Sequence, residues 1–85
     1  MNDFEKLLGV FRVTFGKPDL DLRPSLSAAD VDNWDSFNHI NLIIAIEEAF
    51  GVRLKTREVN SMKNVGDLVG ILNGKGAAIA WPTSA

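Results

Sequence analysis

The stretch from Ser36 to Phe50, closed by Gly51, most limits what this chain can fold into. Its apolar residues recur at helical rather than alternating spacing, which predicts one helix with Asp35 or Ser36 as N-cap and Gly51 as its stop. At about 100° per residue, Leu42, Ile43, Ile46, Ala49 and Phe50 fall on one side and face a core. Phe37, Ile40 and Ile44 form a second stripe, bounded by Asn38, Asn41 and Glu48 on one flank and by Glu47 on the other. A helix with two apolar stripes is either wrapped by its own chain or docked by a partner.

The rest of the chain supplies further helices to cover the first stripe. Phe4, Leu7, Leu8, Phe11 and Phe15 recur at spacings of three and four, after Asn2 or Asp3 as a cap and before the stop Gly16-Lys17-Pro18. From Asp19 to Asp35 there is little periodicity. So long a connection is unusual in a small domain, and Leu20, Leu22, Leu26 and Val31 are expected to turn inward as anchors, with a helical turn near Ser27 to Asp30. Thr56 is placed to cap a short helix through Asn60, and Asn64 to cap a last one whose apolar face is Val65, Leu68, Val69, Ile71 and Leu72, ending at Asn73-Gly74. Residues 75–85, rich in Gly and Ala, read as a flexible C-terminal tail beyond a domain spanning 1–74. Three main helices, a short third helix and a long loop between the first and second predict an all-α four-helix bundle.

Composition narrows the chemistry. Eighty-five residues make one domain, and 46% hydrophobic with 24% charged residues is the balance of an ordinary folded domain. No stretch approaches the roughly 20 apolar residues of a membrane span, and Met1-Asn2-Asp3-Phe4-Glu5 lacks the features of a signal peptide, so a cytoplasmic location is the default expectation. There is no cysteine and only one histidine, His39. Disulfides, polypeptide thiol chemistry and a multi-histidine metal site are thereby excluded, and any thiol the protein uses must come from a prosthetic group. The net charge of −2 is unevenly spread. Asp19, Asp21, Asp30, Asp32, Asp35, Glu47 and Glu48 stand against Arg23 alone, whereas Arg53, Lys55, Arg57 and Lys63 then face only Glu58. An acidic block of this kind disfavours nucleic acid and suits basic protein partners.

Trp34-Asp35-Ser36-Phe37 sits where the longest helix should begin. Unpaired amides and the positive end of the macrodipole would hold a phosphate bonded to a serine there, so Ser36 reads as an attachment point as well as a possible cap. It does not read as a catalyst, because no base stands in a productive relation to it and His39 is best explained as a structural or hydrogen-bonding residue. Trp34 is expected to bury its ring and fix the loop against the helix.

Asp35-Ser36 at mid-chain, the patterned helix with Ile40, Leu42, Ala45, Ile46, Glu47-Glu48 and Phe50-Gly51, and the later Val65-Gly66-Asp67-Leu68 together resemble the acyl carrier protein family. The likeness runs from about Phe4 to Leu72, nearly the whole chain. It implies a bundle of acyl-carrier type in which Ser36 bears 4′-phosphopantetheine drawn from coenzyme A. The thiol of that group would carry an acyl intermediate for a lipid or secondary-metabolite pathway. A phosphopantetheinyl transferase would install it, with Asp35 as a helper for the transferase's metal ion. An acyl-activating ligase or an acyltransferase would load the cargo. The resemblance further implies partner contacts at Phe37, Ile40, Asn41, Ile44, Glu47 and Glu48, and an acyl pocket drawn from Leu42, Ile46, Val59, Met62 and Ile71. A monomer that is no enzyme and binds no nucleic acid is the expectation.

Departures from the family pattern bear on partners rather than on attachment. Phe37 stands where leucine is usual, Asn38 and Asn41 where acids are common, and Lys55, Arg57 and Lys63 make the third-helix region basic. These changes point to a specialised free-standing carrier. The alternatives are an aminoacyl or peptidyl carrier, and an unmodified helical adaptor that uses the Phe37 stripe to bind a protein.

Overall fold

In a computed structural model describing residues 2–82, the elements run α1 (Asp3–Phe15), a 3₁₀ turn (Ala28–Asp30), α2 (Ser36–Phe50), α3 (Thr56–Ser61) and α4 (Val65–Gly74). All regular structure among the described residues is helical, as the apolar periodicity predicts. α1 starts where Asn2 Oδ1 accepts the Glu5 amide at 2.8 Å, satisfying one of the amides that a helix start leaves unpaired. Leu7, Phe11 and Phe15 are its buried residues, while Phe4 and Leu8 pack partly buried at the edge. α2 lies against α1 with Leu42, Ile43 and Ile46 buried. Gly51 ends α2 at φ 65°, a left-handed conformation that costs glycine no Cβ clash, and the Val52 amide turns back to the Glu47 carbonyl at 3.2 Å.

The long connection is held by named anchors. Leu22, Leu26 and Val31 are buried in the core and Leu20 packs against it, as the sequence suggests. Arg12 donates from Nε to the Leu20 carbonyl at 2.8 Å, and its Nη2 meets Asp21 Oδ1 at 3.2 Å. Asn33 Nδ2 donates to the Phe15 carbonyl at 3.0 Å, tying the loop's far end to the end of α1. At α4, loop carbonyls take over first-turn amides: Val65 N–H donates to Leu26 O at 2.8 Å and Gly66 N–H to Pro24 O at 2.9 Å. This approach favours glycine at 66, because a Cβ there would stand 3.0 Å from the Pro24 oxygen and the loop would have to give by a few tenths of an ångström.

Two sequence expectations change. Thr56 is the first residue of α3, not its cap; Lys55 caps, and Glu58 Oε1 reaches back to accept the Lys55 amide at 2.9 Å. The segment after Gly74, expected to be a flexible tail, packs on the bundle as far as it is described. Ile79 is 5% exposed in the core cluster, with Ala77 and Trp81 packed beside it. Asn73 clamps Ile79 from both sides, Nδ2 donating to its carbonyl at 3.0 Å and Oδ1 accepting its amide at 2.9 Å. Asp3 accepts the Ala78 amide at 2.8 Å, and Trp81 meets Phe4 edge to face at 5.7 Å. The segment lacks regular structure yet packs on the bundle. The tail's last residues, 83–85, lie outside the described residues.

Candidate functional site

Asp35, not Ser36, caps α2. Its extended backbone sets the helix start, its Oδ1 accepts the Asn38 amide at 2.9 Å, and its carbonyl accepts the His39 amide at 2.8 Å. Ser36 is therefore the first helical residue, exposed, and its hydroxyl makes no hydrogen bond among the described residues. Asn38 Nδ2 donates to the Asn33 carbonyl at 2.7 Å, so the loop just before the helix is pinned to its first turn.

Trp34 and His39 form the wall behind Ser36. The Trp34 ring is packed edge-on against Phe11 at 5.7 Å and tilted against Phe15 at 5.5 Å, and it stacks on the His39 ring at 6.2 Å. Its indole N–H donates to His39 Nδ1 at 3.0 Å. Both residues act structurally, as their positions in the sequence suggest.

Three hollows surround this wall. Ser36 opens on a shallow one of about 580 Å³, lined by Ala28, Trp34, Asp35, His39, Ile40, Val59 and Asn60. Behind Trp34 and His39 lies a more enclosed cavity of about 70 Å³, which reaches Leu42, Met62 and Leu68. Along the surface, Ile40 and Val59 are shared with a groove of about 190 Å³ completed by Ile43, Ile44, Leu54 and Thr56. Nothing in the sequence marks Ala28, Asn60, Leu54 and Thr56 as lining residues, since only the packing of loop and α3 against α2 brings them here.

The expected acyl-pocket residues do not converge on one space. Leu42 and Met62 line the enclosed cavity, Val59 lines the two outer hollows, Ile46 is fully buried in the core, and Ile71 faces a separate surface hollow with Ser61, Gly66 and Asp67. The expected partner-contact residues divide too. Phe37, Ile40 and Ile44 are 72%, 60% and 49% exposed and stand unburied as a stripe; Asn41 and Glu48 are exposed beside it. Glu47 is different: its Oε2 accepts the Leu54 amide at 2.8 Å, so its carboxylate holds the connection after α2 in place.

The Glu58 carboxyl has its proton affinity lowered. The Lys55 amide, and then the Lys75 ammonium at 3.0 Å, hold it below its usual range and tie α3 to the end of α4.

No protein-family model matches the chain. A solved structure does: the solution structure of the holo acyl carrier protein from Geobacter metallireducens superimposes with a TM-score of 0.81 at 35% identity, covering 88% of this chain and 86% of that one. The acyl carrier protein of Thermosynechococcus vestitus is 40% identical over 55 residues, 65% of this chain and 68% of that protein. This chain belongs to the acyl carrier protein family. The acyl carrier protein of Acidothermus cellulolyticus is 41% identical over 54 residues, a match spanning 64% of each chain. The arrangement at the head of α2, with an uncommitted serine beside a capping aspartate, is thus found in a family member with the bundle the sequence predicts.

Proposed function

We propose that this chain works as an acyl carrier in which Ser36 bears 4′-phosphopantetheine. The observation that carries the reading is the division of labour at the head of α2: Asp35 supplies the cap, which leaves the exposed Ser36 hydroxyl without a structural duty and open to an enzyme. The group fits the surroundings, because the phosphate would sit at a helix N-terminus and the arm would leave over a hollow walled by Trp34, Ile40 and Val59. When bound, it supplies the thiol that the polypeptide lacks, on which an acyl chain is held as a thioester.

Attachment needs a phosphopantetheinyl transferase. Ser36 Oγ attacks the pyrophosphate of coenzyme A and forms a new O–P bond; the nucleotide half departs with the other phosphate, and the hydroxyl proton passes to a base on the transferase. Asp35 keeps Oδ2 free of hydrogen bonds among the described residues, and this oxygen is the one available to the transferase's metal ion. Once loaded by an acyl-activating ligase or an acyltransferase, the carrier presents its cargo at high effective concentration to enzymes that read α2. It performs no chemistry itself and works in the cytoplasm as a monomer. Its departures at Phe37, Asn38, Asn41 and the basic α3 region fit a specialised pathway.

Intact mass before and after incubation with coenzyme A, magnesium and a broad-specificity transferase tests the assignment. A single phosphopantetheine added to the wild type and none to Ser36→Ala is the expected result. Absence of any gain with several transferases, on folded protein, would overturn it.

A further inference from the structure

We propose that Asn73 is a deamidation site whose reaction unfastens the segment after α4, and that the docked segment in turn protects Asn73 from reacting. The inference is independent of the carrier reading, because it concerns the polypeptide without its prosthetic group.

Asn73 lies in the last turn of α4, exposed at the surface. Its carboxamide makes two hydrogen bonds to one residue, Nδ2 donating to the Ile79 carbonyl at 3.0 Å and Oδ1 accepting the Ile79 amide at 2.9 Å. Such a clasp needs a donor and an acceptor on the same planar group, which asparagine has and an ionised aspartate lacks. An aspartate here would still accept the Ile79 amide, but its second oxygen would face the Ile79 carbonyl, acceptor against acceptor. Few other polar contacts hold the segment. The Ala77 amide donates to the Leu72 carbonyl at 3.1 Å and the Ala78 amide to Asp3 Oδ2 at 2.8 Å.

Asn73 is also the chain's only asparagine followed by glycine. Asparagine is thermolabile because the backbone nitrogen of the next residue can attack its Cγ, and a glycine, with no side chain, hinders that attack least. The bond from Gly74 N to Asn73 Cγ forms, the Cγ–Nδ2 bond breaks and ammonia leaves. Water then opens the succinimide to aspartate or isoaspartate. The fold does not demand glycine at 74: its φ is not positive, and a Cβ there would meet no atom within 4 Å. While the segment is docked, two features hold the reaction off. The helical backbone turns the Gly74 nitrogen away from Cγ, and both polar atoms of the carboxamide are engaged by Ile79. Both are lost together when the end of α4 and the segment open locally, as chain ends do at low cost. The product cannot remake the clasp, so an opening that was reversible becomes permanent.

The test incubates the full chain at physiological pH and temperature and follows every asparagine by peptide mass spectrometry, with aspartate and isoaspartate separated. Folded wild type should convert Asn73 at least about tenfold more slowly than the same chain held unfolded in urea. Ile79→Ala, which loosens the segment, should speed conversion in the folded chain about tenfold. Leu26→Ala is the control: Leu26 is 2% exposed and its carbonyl accepts the Val65 amide at the opposite end of α4, so its loss should speed conversion far less. Gly74→Ala should suppress conversion in folded and unfolded chain alike. Asn73→Asp, with unchanged helix content by circular dichroism, should speed amide exchange at Ile79 about five- to tenfold and alter Trp81 fluorescence. Conversion of folded wild type at the unfolded rate, equal acceleration by Ile79→Ala and Leu26→Ala, or earlier conversion of another asparagine would overturn the proposal. So would an Asn73→Asp chain whose Ile79 exchange and Trp81 fluorescence match wild type. The urea comparison and Asn73→Asp decide the matter even where a core variant fails to fold.

Discussion

Ile79→Ala should destabilise the protein by about 2 to 3 kcal/mol, because the residue that looks like part of a loose tail closes one edge of the core. Ile79 is 5% exposed, and the Asn73 side chain bonds both its amide and its carbonyl, so the backbone at this point is positioned and the side chain has one place to go. Truncating a buried isoleucine to alanine costs about 2 to 5 kcal/mol, from lost transfer free energy plus the cavity left behind. The lower end applies because Ile79 lies near the chain's end, where half-buried Trp81 and Ala77 can close part of the space. Urea unfolding followed by far-ultraviolet circular dichroism measures the free-energy loss, and in thermal melts of a domain of this size the midpoint temperature should fall by about 8 to 24 °C. Trp81 fluorescence should report the same transition as the helices, since its ring stands edge to face on Phe4. A loss below about 0.5 kcal/mol, the range of ordinary surface substitutions, would refute the packing of this segment.

Asp35→Ala should cost about 0.5 to 2 kcal/mol by removing the bond to the Asn38 amide, whereas Ser36→Ala should change stability by less than about 0.5 kcal/mol; thermal melts of the two variants separate cap from attachment residue. Acidification should loosen α3. Bonded by the Lys55 amide and then by Lys75, Glu58 binds its proton less readily when folded than at its ordinary value of 4.5, so its contribution is present above that pH and is lost as pH falls through the lower folded value. Amide exchange across Thr56 to Ser61 in an acid titration should rise over that window in wild type, and Glu58→Gln should remove that pH dependence.

Local rules determined most of the architecture. Spacings of three and four in Phe4 to Phe15, Ser36 to Phe50 and Val65 to Leu72 are statements about one helix face, and caps such as Asn2, Asp35 and Asn64 act within three residues, so both are legible along the chain. The second stripe of α2 was legible for the same reason, and it is exposed as the wheel suggests. What tertiary structure alone decided depends on contacts between distant positions. Nothing near Glu47 in the sequence marks its bond to the Leu54 amide, which forms only when the chain folds back after Gly51. Gly66 carries no sequence mark of its contact with Pro24, far away along the chain. The segment from Ala77 to Trp81 has no helical periodicity to read, yet Ile79 is buried and Ala77 and Trp81 half-buried at the edge beside α1, because burial depends on the surface a segment meets as well as on its own pattern.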